Sequence, residues 1–118
     1  MGSKFTELVI DCADPARVAD FWAAVLGWPK SGQGDEIQVA GPPGSGPSLF
    51  FARVPEPKTL KNRLHIDVNP VGCDQADEVQ RLIGLGARHA DVGQGDVSWV
   101  VLADPEGNEF CVLADRRP

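Results

Sequence analysis

Few residues in this chain can do chemistry. It carries three cysteines, two histidines and more acids than bases, 17 against 11. Cys12, Cys73 and Cys111 are odd in number, widely spaced and form no Cys-x-x-Cys pair, so they read as reduced thiols rather than a disulfide framework. His65 sits in the short run Leu64 to Val68, where an imidazole is either a hydrogen-bonded core group or a pocket group. The tetrapeptide Gly-Gln-Gly-Asp occurs at 32–35 and again at 93–96. A glycine-rich loop that cradles phosphate needs a strand before it and a helix after it. Here a strand is expected after each copy, so both are polar turns whose value is as marks of internal duplication. Trp28, Phe50 and Trp99 fall at or near expected strands, where aromatic walls grip a flat or apolar ligand.

The bulk numbers narrow the partners. At 118 residues the chain is one domain's worth of sequence, long enough to bury a core without staples. A net charge of -6 argues against nucleic acid, whose phosphates would be repelled, and suits a cationic or neutral small ligand. No apolar run approaches membrane-spanning length and the first residues lack an export pattern, so the expectation is a cytoplasmic protein with no membrane partner.

The elements that must position these residues follow from pattern. Phe5 to Cys12 reads as a strand, with Leu8 and Ile10 on one face and Glu7, Val9 and Asp11 on the other. Asp14 caps a helix that has Pro15 at its first position, the stripe Val18, Phe21, Trp22 and Val25, and Gly27 as its stop. Trp28 to Lys30 reads as a short strand, then Glu36 to Ala40 and Ser48 to Val54 as two more, with a Gly/Pro loop at 41–47 between them. After a polar connector the order restarts. Leu64 to Val68 is a strand, and Asp74 caps a helix with the stripe Val79, Leu82 and Ile83. Ala87 to Val92 can be a strand. Trp99 to Leu102 and Phe110 to Leu113 form a hairpin around Asp104-Pro-Glu-Gly107. Leu26-Gly27 matches Leu85-Gly86, and the two Gly-Gln-Gly-Asp turns keep that interval to within two residues. The expected fold is therefore α+β: two tandem β-α-β-β-β modules in a curved half-barrel sheet with helices on its outer face. Residues 1–118 form a single domain, with module one at 5–54, a connector at 55–62 and module two at 63–114.

Leu8-Val-Ile-Asp-Cys-Ala-Asp-Pro15, Phe21-Trp22, Leu26-Gly-Trp28, Arg63-Leu-His-Ile-Asp67 and Asp104-Pro-Glu-Gly-Asn-Glu-Phe-Cys111 together resemble the small glyoxalase-like members of the vicinal oxygen chelate superfamily. That superfamily includes glyoxalase I, bleomycin-resistance proteins and extradiol dioxygenases. The resemblance covers roughly residues 5–114. It implies four metal-ligand positions, one on the first and one on the last strand of each module. Three carry groups able to coordinate: Glu7, His65 and Cys111, with Glu7 also able to act as a catalytic base. The fourth is Phe50, which cannot bind a metal. Glu109, two residues before Cys111 on the same face, joins Trp28, Phe50 and Trp99 as a pocket residue and could substitute as a ligand.

The implied cofactor is a divalent metal, with zinc favoured if Cys111 coordinates, and otherwise none. The implied function is small-molecule binding with a partly degraded metal site. The alternatives are a metal-dependent lyase, isomerase or dioxygenase on a small oxygenated substrate, and an antibiotic-sequestering resistance protein. A homodimer is expected from the resemblance.

Overall fold

The structure, a computed structural model, describes residues 1–114. Contacts divide the chain into two compact units, Met1–Pro57 and a second beginning at Lys58. Each is a β-α-β-β-β unit whose four-stranded sheet is left open.

The first unit contains β1 (Glu7–Cys12), α1 (Pro15–Leu26), β2 (Lys30–Gln33), β3 (Glu36–Val39) and β4 (Ser48–Arg53), with sheet order β1-β4-β3-β2. β1 and β4 run parallel and the other pairs antiparallel. The start of α1 follows from its residues. Asp14 accepts the Arg17 N–H at 3.2 Å, and Pro15 occupies a position whose N–H has no helical partner anyway. Gly27, at φ 68°, ends the helix in a conformation that costs glycine little. Val18, Phe21, Trp22 and Val25 are buried, with Phe21 and Trp22 edge to face at 5.4 Å. Ile37, Val39, Leu49 and Phe51 form the buried face of the sheet, and α1 packs on β3 and β4.

The second unit repeats the plan with β5 (Asp67–Val68), α2 (Gln75–Leu85), β6 (Arg88–His89), β7 (Val100–Ala103) and β8 (Glu109–Val112), in the order β5-β8-β7-β6. Asp74 caps α2 by accepting the Asp77 N–H at 2.8 Å. Asp77 and Glu78 in the first turn complement the positive end of the helix dipole. Val79 and Leu82 are buried, as are Leu102, Phe110 and Val112, whereas Ile83, expected in the same stripe, is only half-buried.

Between β7 and β8 the fully buried Asp104 organises the turn. Its Oδ1 accepts the N–H groups of Glu106 and Asn108, each at 2.9 Å, and its Oδ2 accepts Asn108 Nδ2 at 3.0 Å. Gly107, at φ 85°, closes the turn by donating its N–H to the Asp104 carbonyl at 2.8 Å. This turn sets the register that pairs Val101 with Cys111.

Several strands differ from the sequence expectation. The strand placed at Trp28–Lys30 begins only at Lys30 and runs to Gln33. Leu64–Val68 contracts to Asp67–Val68: Leu64 is 82% exposed and His65 is exposed, although the Ile66 carbonyl still accepts the Cys111 N–H. Ala87–Val92 contracts to Arg88–His89. The second Gly-Gln-Gly-Asp makes no hairpin. The Asp91 carboxylate takes the Gly93 N–H at 2.8 Å and the Gln94 side chain takes the Val92 N–H at 2.9 Å, so side chains capture donors a ladder would have used.

Candidate metal and ligand site

β8 is an inner strand, with β5 on one side and β7 on the other. Strand alternation sends Phe110 and Val112 to one face and Glu109 and Cys111 to the other. Register then brings Asp67 of β5 and Val101 of β7 level with Cys111. His65, two residues before Asp67, points to the same side. These residues line a cavity of about 450 Å³ with Lys61, Val92, Gln94, Trp99, Glu109 and Leu113, all within the second unit. That volume suits a small molecule.

Three potential ligand atoms converge there. His65 Nδ1 lies 3.2 Å from Asp67 Oδ1, and Cys111 Sγ lies 3.9 Å from the same Nδ1. All three donors fall within 4.8 Å of one another. The His65 and Asp67 side chains are 45% and 46% exposed, while Cys111 is buried. Burial pushes the Cys111 thiol up from its usual range, the Asp67 charge and hydrogen bond push the same way, and Lys61 pulls back.

The constellation is not built as a nucleophilic relay. A cysteine activated by histidine needs the thiol on one ring nitrogen and the orienting acid on the other. Here both face Nδ1, and the thiol is shifted away from the thiolate. The arrangement instead resembles three donors around one point. Zinc bonds of about 2.0 to 2.3 Å would put two such donors roughly 3.5 Å apart, between the 3.2 and 3.9 Å that separate His65 Nδ1 from the Asp67 and Cys111 donors.

Glu109 lines the cavity but its oxygens are committed. Oε1 accepts the Asn62 N–H at 3.0 Å and lies 3.0 Å from Lys58 Nζ, and Oε2 lies 3.2 Å from the same ammonium. Burial pushes its carboxyl up, but the Asn62 N–H and the Lys58 ammonium outweigh this and leave it lowered. These contacts fasten the segment 58–62 beside the cavity. Asn62 Nδ2 adds a bond to Asn108 Oδ1 at 3.2 Å.

Of the residues singled out from sequence, His65, Cys111, Trp99 and Glu109 meet in this cavity. Glu7, Trp28 and Phe50 belong to the first unit. Glu7 is exposed on β1, and Phe50 is half-buried on β4 between Val9 and Gln38. Trp28 lies over Gly41, where an added Cβ would come within 2.6 Å of its ring. Sequence reasoning missed Asp67, Lys61 and Gln94. Asp67 left a signal, since His-x-Asp in a strand puts both side chains on one face. Lys61 and Gln94 left none.

A family model described as a glyoxalase-like domain matches residues 7–113. The chain belongs to the glyoxalase-like domain family. Solved structures share the fold of this glyoxalase-like chain. A genomically encoded fosfomycin resistance protein from Listeria monocytogenes aligns with a TM-score of 0.72 at 15% identity, covering 98% of this chain and 94% of that one. A glyoxalase/bleomycin resistance protein/dioxygenase family enzyme from Burkholderia phytofirmans PsJN gives 0.67 at 16% identity, covering 93% and 97%. A glyoxalase/bleomycin resistance protein from Albidiferax ferrireducens T118 gives 0.64 at 18%, covering 97% and 98%. No match was found among curated proteins. No helix of the described residues is long and apolar enough to cross a membrane. Glyoxalase-like proteins often bind a divalent metal, and a nitrogen, an oxygen and a sulfur donor converging in one cavity fit such an ion.

Proposed function

We propose that this glyoxalase-like protein binds a small molecule through a divalent cation held by His65, Asp67 and Cys111. The observation that supports it most is the convergence of those three donors inside a cavity of ligand size. The donor set favours zinc, because thiolate and imidazole suit a borderline-soft ion better than magnesium or calcium. A bound cation supplies Lewis-acid polarisation of ligand oxygens, the chemistry a lyase, isomerase or dioxygenase would draw on. The chain's own residues do the rest. Cys111, its proton released to solvent, would join His65 and Asp67 in holding the cation, and Val101, Trp99 and Leu113 would keep water from the ligand's apolar side. We also place the protein in the cytoplasm, where Cys12, Cys73 and Cys111 stay reduced, and expect it to be a homodimer.

A second reading, ligand capture without a metal, draws support from Phe50, which stands in the first unit's sheet where Cys111 stands in the second. Elemental analysis and zinc titration of protein purified without chelator separate the two. The proposal expects one zinc per chain, with affinity reduced about tenfold or more by Asp67→Asn and by Cys111→Ala. Protein that is metal-free as purified and takes up no zinc on titration contradicts it and leaves metal-free capture.

A further inference from the structure

The cavity's lining carries information on ligand charge that the whole chain obscures. The net charge of -6 favours cationic or neutral ligands. At physiological salt, however, charges beyond about 8 Å are largely screened, so the groups lining the cavity decide.

Those groups can be sorted by partner. Glu109 is matched by Lys58, which holds both of its oxygens. Asp67 and the Cys111 sulfur face the converging point and would be neutralised by a divalent cation there. Among the described residues, Lys61 is what remains. It lines the cavity, and its ammonium donates to the neutral carbonyl of Asn62 at 3.0 Å. Its charge is close enough to pull on the Cys111 thiol. It is also held in place, since Lys58 and Asn62, on either side of it, are both bound to Glu109. Apart from Gln94, the rest of the lining is apolar, formed by Val92, Trp99, Val101 and Leu113.

We infer that the loaded cavity takes a small monoanion, a single carboxylate or comparable oxyanion on a compact apolar or aromatic body. Lys61 and the cation meet the charge, and Trp99 with its aliphatic neighbours covers the body. This rests on the metal reading proposed above, since without the cation Lys61 and Asp67 cancel and the lining has no charge preference. Anion binding is therefore coupled to metal binding.

Calorimetry on the full chain, with and without zinc, tests this using benzoate and cyclohexanecarboxylate against the neutral benzyl alcohol. Either carboxylate should bind the zinc-loaded protein about tenfold or more tightly than benzyl alcohol. Lys61→Met should remove most of that advantage while leaving zinc affinity within about twofold, and Lys61→Arg should restore it. Zinc uptake with no carboxylate binding, with equal affinity for the neutral compound, or with affinity indifferent to Lys61→Met overturns the inference and spares the metal site. Failure of zinc to bind overturns the metal reading, and this inference with it.

Discussion

The two units have the same element order and the same strand order, yet their open sheet faces differ in chemistry. In the first, Phe50 on the inner strand stands level with Val9 and Gln38. In the second, Cys111 stands level with Asp67 and Val101. Glu7 and His65 occupy the matching place two residues earlier. One sheet thus presents an aromatic and a valine where the other presents a thiol and a carboxylate. Gln38 and Ser48 in the first unit hydrogen-bond to each other at 2.9 Å rather than to a ligand. The buried faces of the two units are alike in being apolar, whereas the faces that carry Phe50 and Cys111 differ. The buried face sets stability, whereas the open face is free to take on chemistry.

The largest effects should come from the buried faces and be equal. Phe51→Ala and Phe110→Ala each remove a side chain that is at most 1% exposed, and each should cost about 3–5 kcal/mol in chemical denaturation. A difference of more than about 2 kcal/mol between them would break the claim that the cores are alike. Next is the turn that only the second unit builds around a buried carboxylate. Asp104→Ala strands the N–H groups of Glu106 and Asn108 and should cost about 2–3 kcal/mol by the same measurement.

The twin tetrapeptides give a finer contrast. Gly32 and Gly93 both have positive φ, but a Cβ on Gly32 would sit 2.7 Å from the Glu36 carbonyl while one on Gly93 meets nothing within 4 Å. Thermal melts should show Gly32→Ala costing about 2 kcal/mol and Gly93→Ala about 1 kcal/mol. Equal costs would mean that the two copies fold alike. The smallest effect belongs to Lys58→Met, which removes one partly shielded ion pair with Glu109. It should lower stability by about 1 kcal/mol or less while loosening the segment that holds Lys61, seen as faster amide exchange at Asn62.

These contrasts also explain how far the sequence could be read. Both helices were legible because each starts at an aspartate cap followed by an apolar stripe. β7 and β8 were legible as apolar runs on either side of a Pro/Gly turn, to within one residue at each end. β5 and β6 were overdrawn, since two paired residues leave almost no periodicity to detect. His65 and Cys111 were found because the family resemblance pointed to their strands. Asp67 was missed although it stands level with Cys111, because that fact depends on register across strands far apart in sequence. Lys61 depends on how the segment 58–62 is tied to Glu109, which no local pattern encodes. The identical tetrapeptides mark the limit most clearly. Their letters are the same, but Asp91, two residues before the second copy, takes the Gly93 N–H into a side-chain turn.

Cobalt titration followed by absorption tests the central claim most directly, because a thiolate ligand produces its own charge-transfer band in the near ultraviolet. The account predicts one equivalent per chain with that band present, the band lost in Cys111→Ala, and uptake weakened in Asp67→Asn. No uptake, or a band that survives Cys111→Ala, would contradict it.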